Sequence, residues 1–190
     1  MNELVLQNNS ITTEIYNLIS NIVPYDELEK EHITDTLSWI ETGVPIFRIE
    51  KPDTPNKHLV SYFVLFNQNN KKILLVDHKK ALLWLPSGGH FEPDEDPKEA
   101  ARRECFEELQ IEADFWIEDP IFLTSATTVG VTAGHTDVSL WYVLKGDSNL
   151  SYKFDREEFN DVKWFRFEEI PYGKSDPHMH RFIEKLKGYL

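Results

Sequence analysis

Residues 88–111 of this chain, GGHFEPDEDPKEAARRECFEELQI, contain the pattern that decides its fold and its chemistry. Three glutamates, Glu104, Glu107 and Glu108, fall within about 100° of one another on a helix that turns about 100° per residue. Like charges three and four positions apart destabilise a helix. We therefore expect an interaction from outside the helix to offset their repulsion.

The helix that carries these glutamates is predicted to span residues 97–109. Asp96 is the expected N-cap, Pro97 takes the first helical position and Glu99 the third, a combination that starts helices efficiently. A neighbouring apolar stripe, suited to packing on a sheet, consists of Ala101, Cys105 and Leu109. The glutamates should therefore lie at one edge of the buried face of this helix.

Two interpretations of the three glutamates remain open from their helical spacing alone. A solvated acidic face is the usual explanation of a run of like charges. A hard divalent cation is the other, because such ions prefer several oxygen ligands and the Gly88-Gly89 turn allows close approach of backbone carbonyls. The longer spacing around the glutamates favours the second.

The spacing of charged and glycine residues from Gly89 to Ile111 resembles the motif of a known family. From Gly89 the order is five residues, Glu95, seven residues, Arg103-Glu104-Cys105, one residue, Glu107-Glu108, one residue, Gln110 and Ile111. It closely resembles the Nudix box, GX5EX7REUXEEXGU, in which U is a bulky apolar residue. Gln110 departs from the pattern, because the family has glycine there, and this departure affects the expected exit from the helix.

The resemblance implies a set of metal ligands and a role for the arginine. Glu104, Glu107 and Glu108 would bind Mg²⁺ or Mn²⁺, and the backbone carbonyl of Gly88 would add a ligand. Arg103 would hold a carboxylate of the box in place through charge-assisted hydrogen bonds. The remaining charged residue of the box, Glu95, would brace the junction between loop and helix.

The reaction implied by the resemblance is hydrolysis of a diphosphate linkage in a nucleoside diphosphate joined to another group. Such a reaction needs neutralisation of phosphate charge and an activated water, which paired metals supply. A carboxylate then removes the proton. Glu104, Glu107 or an acid from the C-terminal part is the expected base.

Four residues outside the glutamate cluster are further candidates for the site. Glu158, six residues before Trp164, resembles a downstream acid that reaches the metals in this family, although an exposed loop glutamate explains it equally well. His135 and Asp137, at the start of a predicted strand, are candidates for contact with phosphate or base, or else for capping that strand. Phe91 is a candidate for stacking on a nucleobase.

The composition and net charge limit the classes of molecule that the protein is expected to bind. The chain has 190 residues, a formal net charge of −13 and one cysteine, Cys105. Long nucleic acid and anionic membranes are poor partners for such an acidic surface, whereas a small phosphorylated substrate remains suitable if a divalent metal screens the charge. With no signal-peptide pattern and no membrane-length apolar run, we predict a cytoplasmic protein.

The expected fold class is α/β: a Nudix-type α/β/α sandwich with a mixed sheet, preceded by a helical extension. We predict an N-terminal helical extension over residues 1–43 and a Nudix hydrolase domain over 44–190. Strands are expected at 58–66, 71–78, 82–86, 112–117, 121–125, 136–145 and 161–167. The family does not explain the extension, which we expect to support a homodimer or to cap the site.

The substrate stays open at this point, because the downstream markers of family members specific for ADP-ribose, diadenosine polyphosphates or NADH are missing. A non-catalytic Nudix-fold sensor that binds a nucleotide is the main alternative to a pyrophosphohydrolase. The intact set of glutamates favours the enzyme. A calcium-binding structural domain ranks last, because the sequence lacks the Asp-x-Asp-x-Asp-Gly loop.

Overall fold

A mixed β-sheet forms the centre of the molecule in the computed structural model, which describes residues 10–51 and 54–190. Its strands are β1 Lys57–Asn67, β2 Lys72–His78, β3 Leu83–Leu85, β4 Ser87–His90, β5 Phe115–Thr127, β6 Thr136–Lys145 and β7 Phe159–Arg166. The α-helices described are α1 Ser10–Ser20, α2 Glu27–Glu41, α3 Pro97–Leu109 and α4 Met179–Lys187. No helix among the described residues is long and apolar enough to cross a bilayer.

Strand β1 organises the sheet. It runs parallel to β6 along its length, from the pair Lys57–Thr136 to the pair Phe66–Lys145. Its other edge is shared, since β4 pairs with its first half and β2 with its last residues. Strands β3 and β7 extend the sheet from β2, and β5 pairs with β6. The start of β1, the end of β4 and the start of β6 therefore meet at one end of the sheet.

Two apolar clusters fill the space on the two faces of the sheet. In β1, Leu59, Phe63 and Leu65 belong to the cluster that also contains residues of α1, α2 and α3. Val64 and Phe66 point to the opposite face, where they join the buried side of α4. This alternation follows from the two-residue period of a strand and confirms the predicted α/β/α sandwich with its helical extension.

The N-terminal helices pack on the same core as the sheet. Asp26 caps α2 by accepting a hydrogen bond from Glu29 N at 2.9 Å. The Glu29 side chain accepts from Tyr25 N, and it also forms a buried ion pair of 2.7 Å with Lys185 of α4. The extension is thereby joined to the far end of the chain. A domain boundary at residue 43 stays a prediction.

Two strand assignments differ from the sequence prediction. Residues 112–117 and 121–125 were expected to be separate strands, but β5 is continuous and its pairing with β6 shifts register between Ile117 and Phe122. Pro120 lies in this irregularity, where a missing N–H costs no ladder hydrogen bond. Strand β4 was expected to be a Gly-Gly turn, and it becomes a strand because β1 offers it a free edge.

Candidate active site

The two glycines of β4 bring the backbone close to its neighbours. Gly88 has φ +145, and an added Cβ would overlap the Ser61 carbonyl oxygen of β1. An added Cβ on Gly89 would overlap the Glu104 carboxylate. Glycine is therefore required at Gly88 by backbone conformation and space together, whereas a side chain at position 89 would displace the carboxylate of Glu104.

Helix α3 begins and ends where the sequence predicts. Asp96 accepts hydrogen bonds from the backbone N–H groups of Lys98 and Glu99, at 2.8 and 3.1 Å. At the other end Gln110 adopts the left-handed conformation, with φ 54, and donates to the Phe106 carbonyl. Gln110 thus takes the conformation that glycine adopts at many helix ends, so the departure from the box leaves the helix exit unchanged.

The three glutamates of α3 all line one cleft, at different depths. Glu108 is 6% exposed and accepts hydrogen bonds from Gly88 N at 2.8 Å and from the Ser87 hydroxyl. The Glu104 side chain is 12% exposed, and that of Glu107 is 58% exposed. The cluster therefore extends from the protein interior to the surface along one arc of the helix.

The buried carboxylates destabilise one another's charged forms. Burial is the main cause that raises the pKa of Glu104, and the charges of Glu107 and Glu158 add to it, while Arg103 opposes the shift. Burial likewise raises the pKa of Glu108 well above its ordinary value, with a further contribution from Glu104. A cation placed among these oxygens would relieve both the desolvation and the repulsion.

Arg103 connects the box residues to one another. Its guanidinium binds Glu95 through two hydrogen bonds of 2.8 and 2.9 Å and Glu104 through one of 2.6 Å, and it lies 3.4 Å from Glu107. It also donates to the carbonyl oxygen of His90 at 3.0 Å. These bonds raise the pKa of Arg103 further and fix the outer side of the glutamate cluster.

The cleft beside the glutamates has a volume of about 530 Å³, which is the size of small-molecule sites. Glu158 lies on its wall, just before β7, with its Oε1 3.7 Å from the Lys80 ammonium. Its charge contributes to the raised pKa of both Glu104 and Glu108, so the three carboxylates interact within one cleft. The cleft thus brings Glu158 to the box glutamates.

A second cluster of ligand-type side chains lies at the cleft wall, where three members line the cleft and His58 is fully buried behind them. It consists of His58, His90, His135 and Asp137, whose ligand atoms all lie within 4.8 Å of one another. Burial, with the charge of Arg48, lowers the pKa of His90 to about 3. This ring is therefore neutral near pH 7, the form in which imidazole binds metals.

A family model of the NUDIX domain matches residues 57–186, which include α3, the glycine pair and both clusters. The chain belongs to the NUDIX family. Its membership and its fold identify it as a NUDIX hydrolase, an enzyme acting on phosphoric anhydride bonds.

Several solved NUDIX structures share the fold. A NUDIX-family hydrolase from Clostridium perfringens is 22% identical with a TM-score of 0.55, and the alignment covers 70% of this chain and 98% of that one. A MutT NUDIX hydrolase from Burkholderia pseudomallei is 18% identical (TM-score 0.52, covering 67% and 95%). A C. elegans Ap4A hydrolase in a binary complex is 19% identical (TM-score 0.52, covering 68% and 96%). No curated protein sequence matched the chain.

Not every predicted site residue reaches the NUDIX cleft. Phe91, expected to stack on a nucleobase, is 1% exposed and packs against Phe47 in the core, so its ring is not offered to a substrate. Arg48, which the sequence analysis missed, lines the cleft near Asp137 and Glu104. It lies outside every motif, and only the fold of the preceding segment brings it there.

Replacement of Gly89 by alanine tests the contact between β4 and the Glu104 side chain of helix α3. The added methyl group would overlap the flexible end of Glu104, which can move, so we expect the fold and melting temperature to be retained. Turnover should fall about 100-fold, because a displacement of about 1 Å at a reacting centre has that effect. Steady-state kinetics and thermal denaturation measure the two quantities. Full activity of the Gly89→Ala variant would show that turnover does not depend on where the Glu104 carboxylate lies.

Proposed function

We propose that this chain is a metal-dependent pyrophosphohydrolase that cleaves the diphosphate linkage of a small nucleotide or nucleoside diphosphate derivative. One observation carries the proposal. Glu104, Glu107 and Glu108 line a cleft of substrate size, and two of them are buried so far that their charges are unfavourable without a cation. A solvated acidic face would show none of this burial.

The donor set fits Mg²⁺ or Mn²⁺. Carboxylate and carbonyl oxygens suit these ions, and Glu104, Glu107, Glu108 and the Gly88 carbonyl would hold them, with Glu158 of the same cleft as a further ligand. When bound, the ions neutralise charge on the diphosphate and make a water more acidic. The desolvated state of Glu104 and Glu108 supports this assignment.

The chain's own residues would orient the reaction. Arg103 holds Glu104 through a 2.6 Å hydrogen bond and lies near Glu107, which limits the motion of both carboxylates. Glu158 also lines the cleft, with its Oε1 3.7 Å from the Lys80 ammonium. The proton of the attacking water would pass to one of these three carboxylates.

Positive side chains in the cleft support a phosphorylated substrate. Arg48, Lys51 and Lys80 line it although the chain as a whole is strongly acidic. Burial lowers the pKa of Arg48, and the surrounding carboxylates oppose that shift. These cations would bind the outer phosphate groups and leave the diphosphate bridge to the glutamates.

The Ap4A hydrolase of shared fold acts, by its name, on a compound with a polyphosphate bridge, which is the linkage class proposed here. Long RNA remains an unsuitable partner because of the net charge of −13. A homodimer through the N-terminal helices and a cytoplasmic location stay predictions.

Hydrolysis of a nucleotide panel tests the proposal. Cleavage of the diphosphate linkage yields a nucleoside monophosphate and the phosphorylated second group. Chromatography should detect both products for at least one nucleoside diphosphate derivative with Mg²⁺ or Mn²⁺, and neither should form with a chelator. Equilibrium binding to the same panel is the matched measurement. Tight binding without turnover of any member would contradict the proposed hydrolysis and favour a nucleotide sensor.

A further inference from the structure

Four side chains from three strand ends converge at the cleft wall, three of them lining the cleft and His58 buried behind them. His58 lies near the start of β1, His90 ends β4, and His135 and Asp137 lie at the start of β6. The pairing of β1 with both β4 and β6 brings them together, although up to 79 positions separate them in the chain.

Two of the distances between ligand atoms match those around a tetrahedral ion, and all of the ligand atoms lie within 4.8 Å of one another. The Nε2 atoms of His58 and His135 are each 3.3 Å from Asp137 Oδ1, and that of His90 is 3.9 Å from it. Zinc–ligand distances of about 2.0–2.1 Å place tetrahedral ligands about 3.3–3.4 Å apart. The four atoms therefore need little movement to surround one ion.

The hydrogen bonds behind the cluster direct free ligand atoms into it. His58 Nδ1 lies 2.7 Å from the Pro55 carbonyl oxygen, which only accepts, so Nδ1 carries the proton and Nε2 of the neutral ring has a lone pair. His135 Nδ1 is likewise engaged, 3.1 Å from the Thr128 hydroxyl. Partners of this kind orient metal-binding histidines in known sites.

The atoms that face one another lack a donor. His58 is fully buried, and within the described part of the chain its Nε2, His90 Nε2 and Asp137 Oδ1 are buried side-chain atoms without a hydrogen-bond partner. A lone pair on His58 Nε2 that faces a carboxylate oxygen at 3.3 Å is unfavourable in a buried site. One cation at the centre would give all four atoms a partner together.

We propose that His58, His90, His135 and Asp137 bind a transition-metal ion of the Zn²⁺ class. Three imidazole nitrogens and one carboxylate suit Zn²⁺, whereas Mg²⁺ prefers an all-oxygen shell. The site is separate from the oxygen ligands of Glu104, Glu107 and Glu108. Metal binding replaces the substrate contact that the sequence suggested for His135 and Asp137.

The bound ion fixes the part of the sheet that carries the box. His90 directly follows the glycine pair, and its carbonyl oxygen accepts a hydrogen bond from Arg103 at 3.0 Å. An ion that ties His90 to β1 and β6 therefore sets the position of β4 relative to α3. This inference goes beyond the proposed hydrolysis, which needs only the glutamates and hard ions.

Metal titration of the full chain tests the site without any substrate. The protein is treated with a chelator, saturated with Mg²⁺ to fill the glutamate cluster, and titrated with Co²⁺ and Zn²⁺. We expect one ion per chain, a tetrahedral Co²⁺ absorption spectrum, and a higher melting temperature with Zn²⁺. Failure of wild-type protein to bind a stoichiometric ion would overturn the proposal, whatever the hydrolysis assay shows.

Variants locate the ion. His90→Gln and Asp137→Asn should each weaken Co²⁺ binding at least about 100-fold, because even residues behind the ligands contribute 10–100-fold. His78→Gln changes another cleft-lining histidine and should keep the affinity, as should Glu107→Gln. Circular dichroism checks folding, and either cluster variant suffices if the other unfolds. Unchanged affinity in the folded cluster variants, or loss of affinity in Glu107→Gln, would refute the assignment.

Discussion

Glu107→Gln is expected to lower kcat/KM for the best nucleotide substrate by at least about 1,000-fold while the fold stays intact. A metal ligand contributes several kcal/mol of charge stabilisation in the transition state, and each 1.4 kcal/mol is tenfold in rate. The Glu107 side chain is 58% exposed, and its described ion pair is the 3.4 Å contact with Arg103. Its replacement therefore removes a ligand oxygen and leaves the packing unchanged. Steady-state kinetics with Mg²⁺ and with Mn²⁺ measures the effect.

The matched control is Glu99→Gln, the same change on the same helix. Glu99 is exposed, pairs with Arg102 at 3.1 Å and does not line the cleft. This variant should keep activity within about twofold, because exposed ion pairs contribute little to stability. If both variants retain activity, the metal role assigned to Glu107 is wrong.

Glu29→Ala is expected to lower the free energy of unfolding by about 3–5 kcal/mol, since it leaves a buried charge unpaired. Glu29 is fully buried, and its partner Lys185 is only 7% exposed. The carboxylate also accepts hydrogen bonds from the backbone N–H groups of Tyr25 and Leu123, at 2.6 and 3.2 Å. All three groups lose their acceptor together. Urea denaturation followed by tryptophan fluorescence gives the change.

Glu27→Ala is the control for this effect. Glu27 lies on the same helix and forms an exposed pair of 3.1 Å with Lys30. Its loss should change the free energy of unfolding by less than about 0.5 kcal/mol. Restoration of stability in the double variant Glu29→Met, Lys185→Met would support the unpaired charge as the cause. Equal effects of Glu29→Ala and Glu27→Ala would contradict it.

The Glu29–Lys185 pair also bears on the N-terminal extension. It joins α2 to α4, and Asp26 of the same segment binds Arg181, which lowers the pKa of Asp26 to about 2. A chain that begins at Gly43 would lose both contacts and expose part of the core. Packing is therefore continuous across the predicted boundary between residues 43 and 44, and a domain boundary there stays a prediction.

The box could be predicted from the sequence because its parts are local. Asp96 and Pro97 start a helix by backbone chemistry alone, and the 3.6-residue period then places the three glutamates on one arc. The carboxylates needed only a helix to become neighbours. Even the exit at Gln110 keeps its conformation without glycine.

The histidine cluster could not be predicted in this way. Sequence analysis singled out His135 and Asp137, two positions apart, but gave no reason to join them to His58 or His90. Their meeting depends on the register of β1 against β4 and β6, where a one-residue slip would turn each side chain to the other face. The burial of Phe91 could not be predicted either, because its ring packs against residues that are distant in the sequence, such as Phe47.

By itself, the sequence determined the family, the helix of the box and the glutamates that it presents, because helical geometry and capping act over a few residues. Tertiary structure alone decided how deep each glutamate lies, which cations share the cleft and that three histidines face one aspartate. Those properties arise from strand pairing and burial between segments far apart in the chain, and local propensities do not encode them.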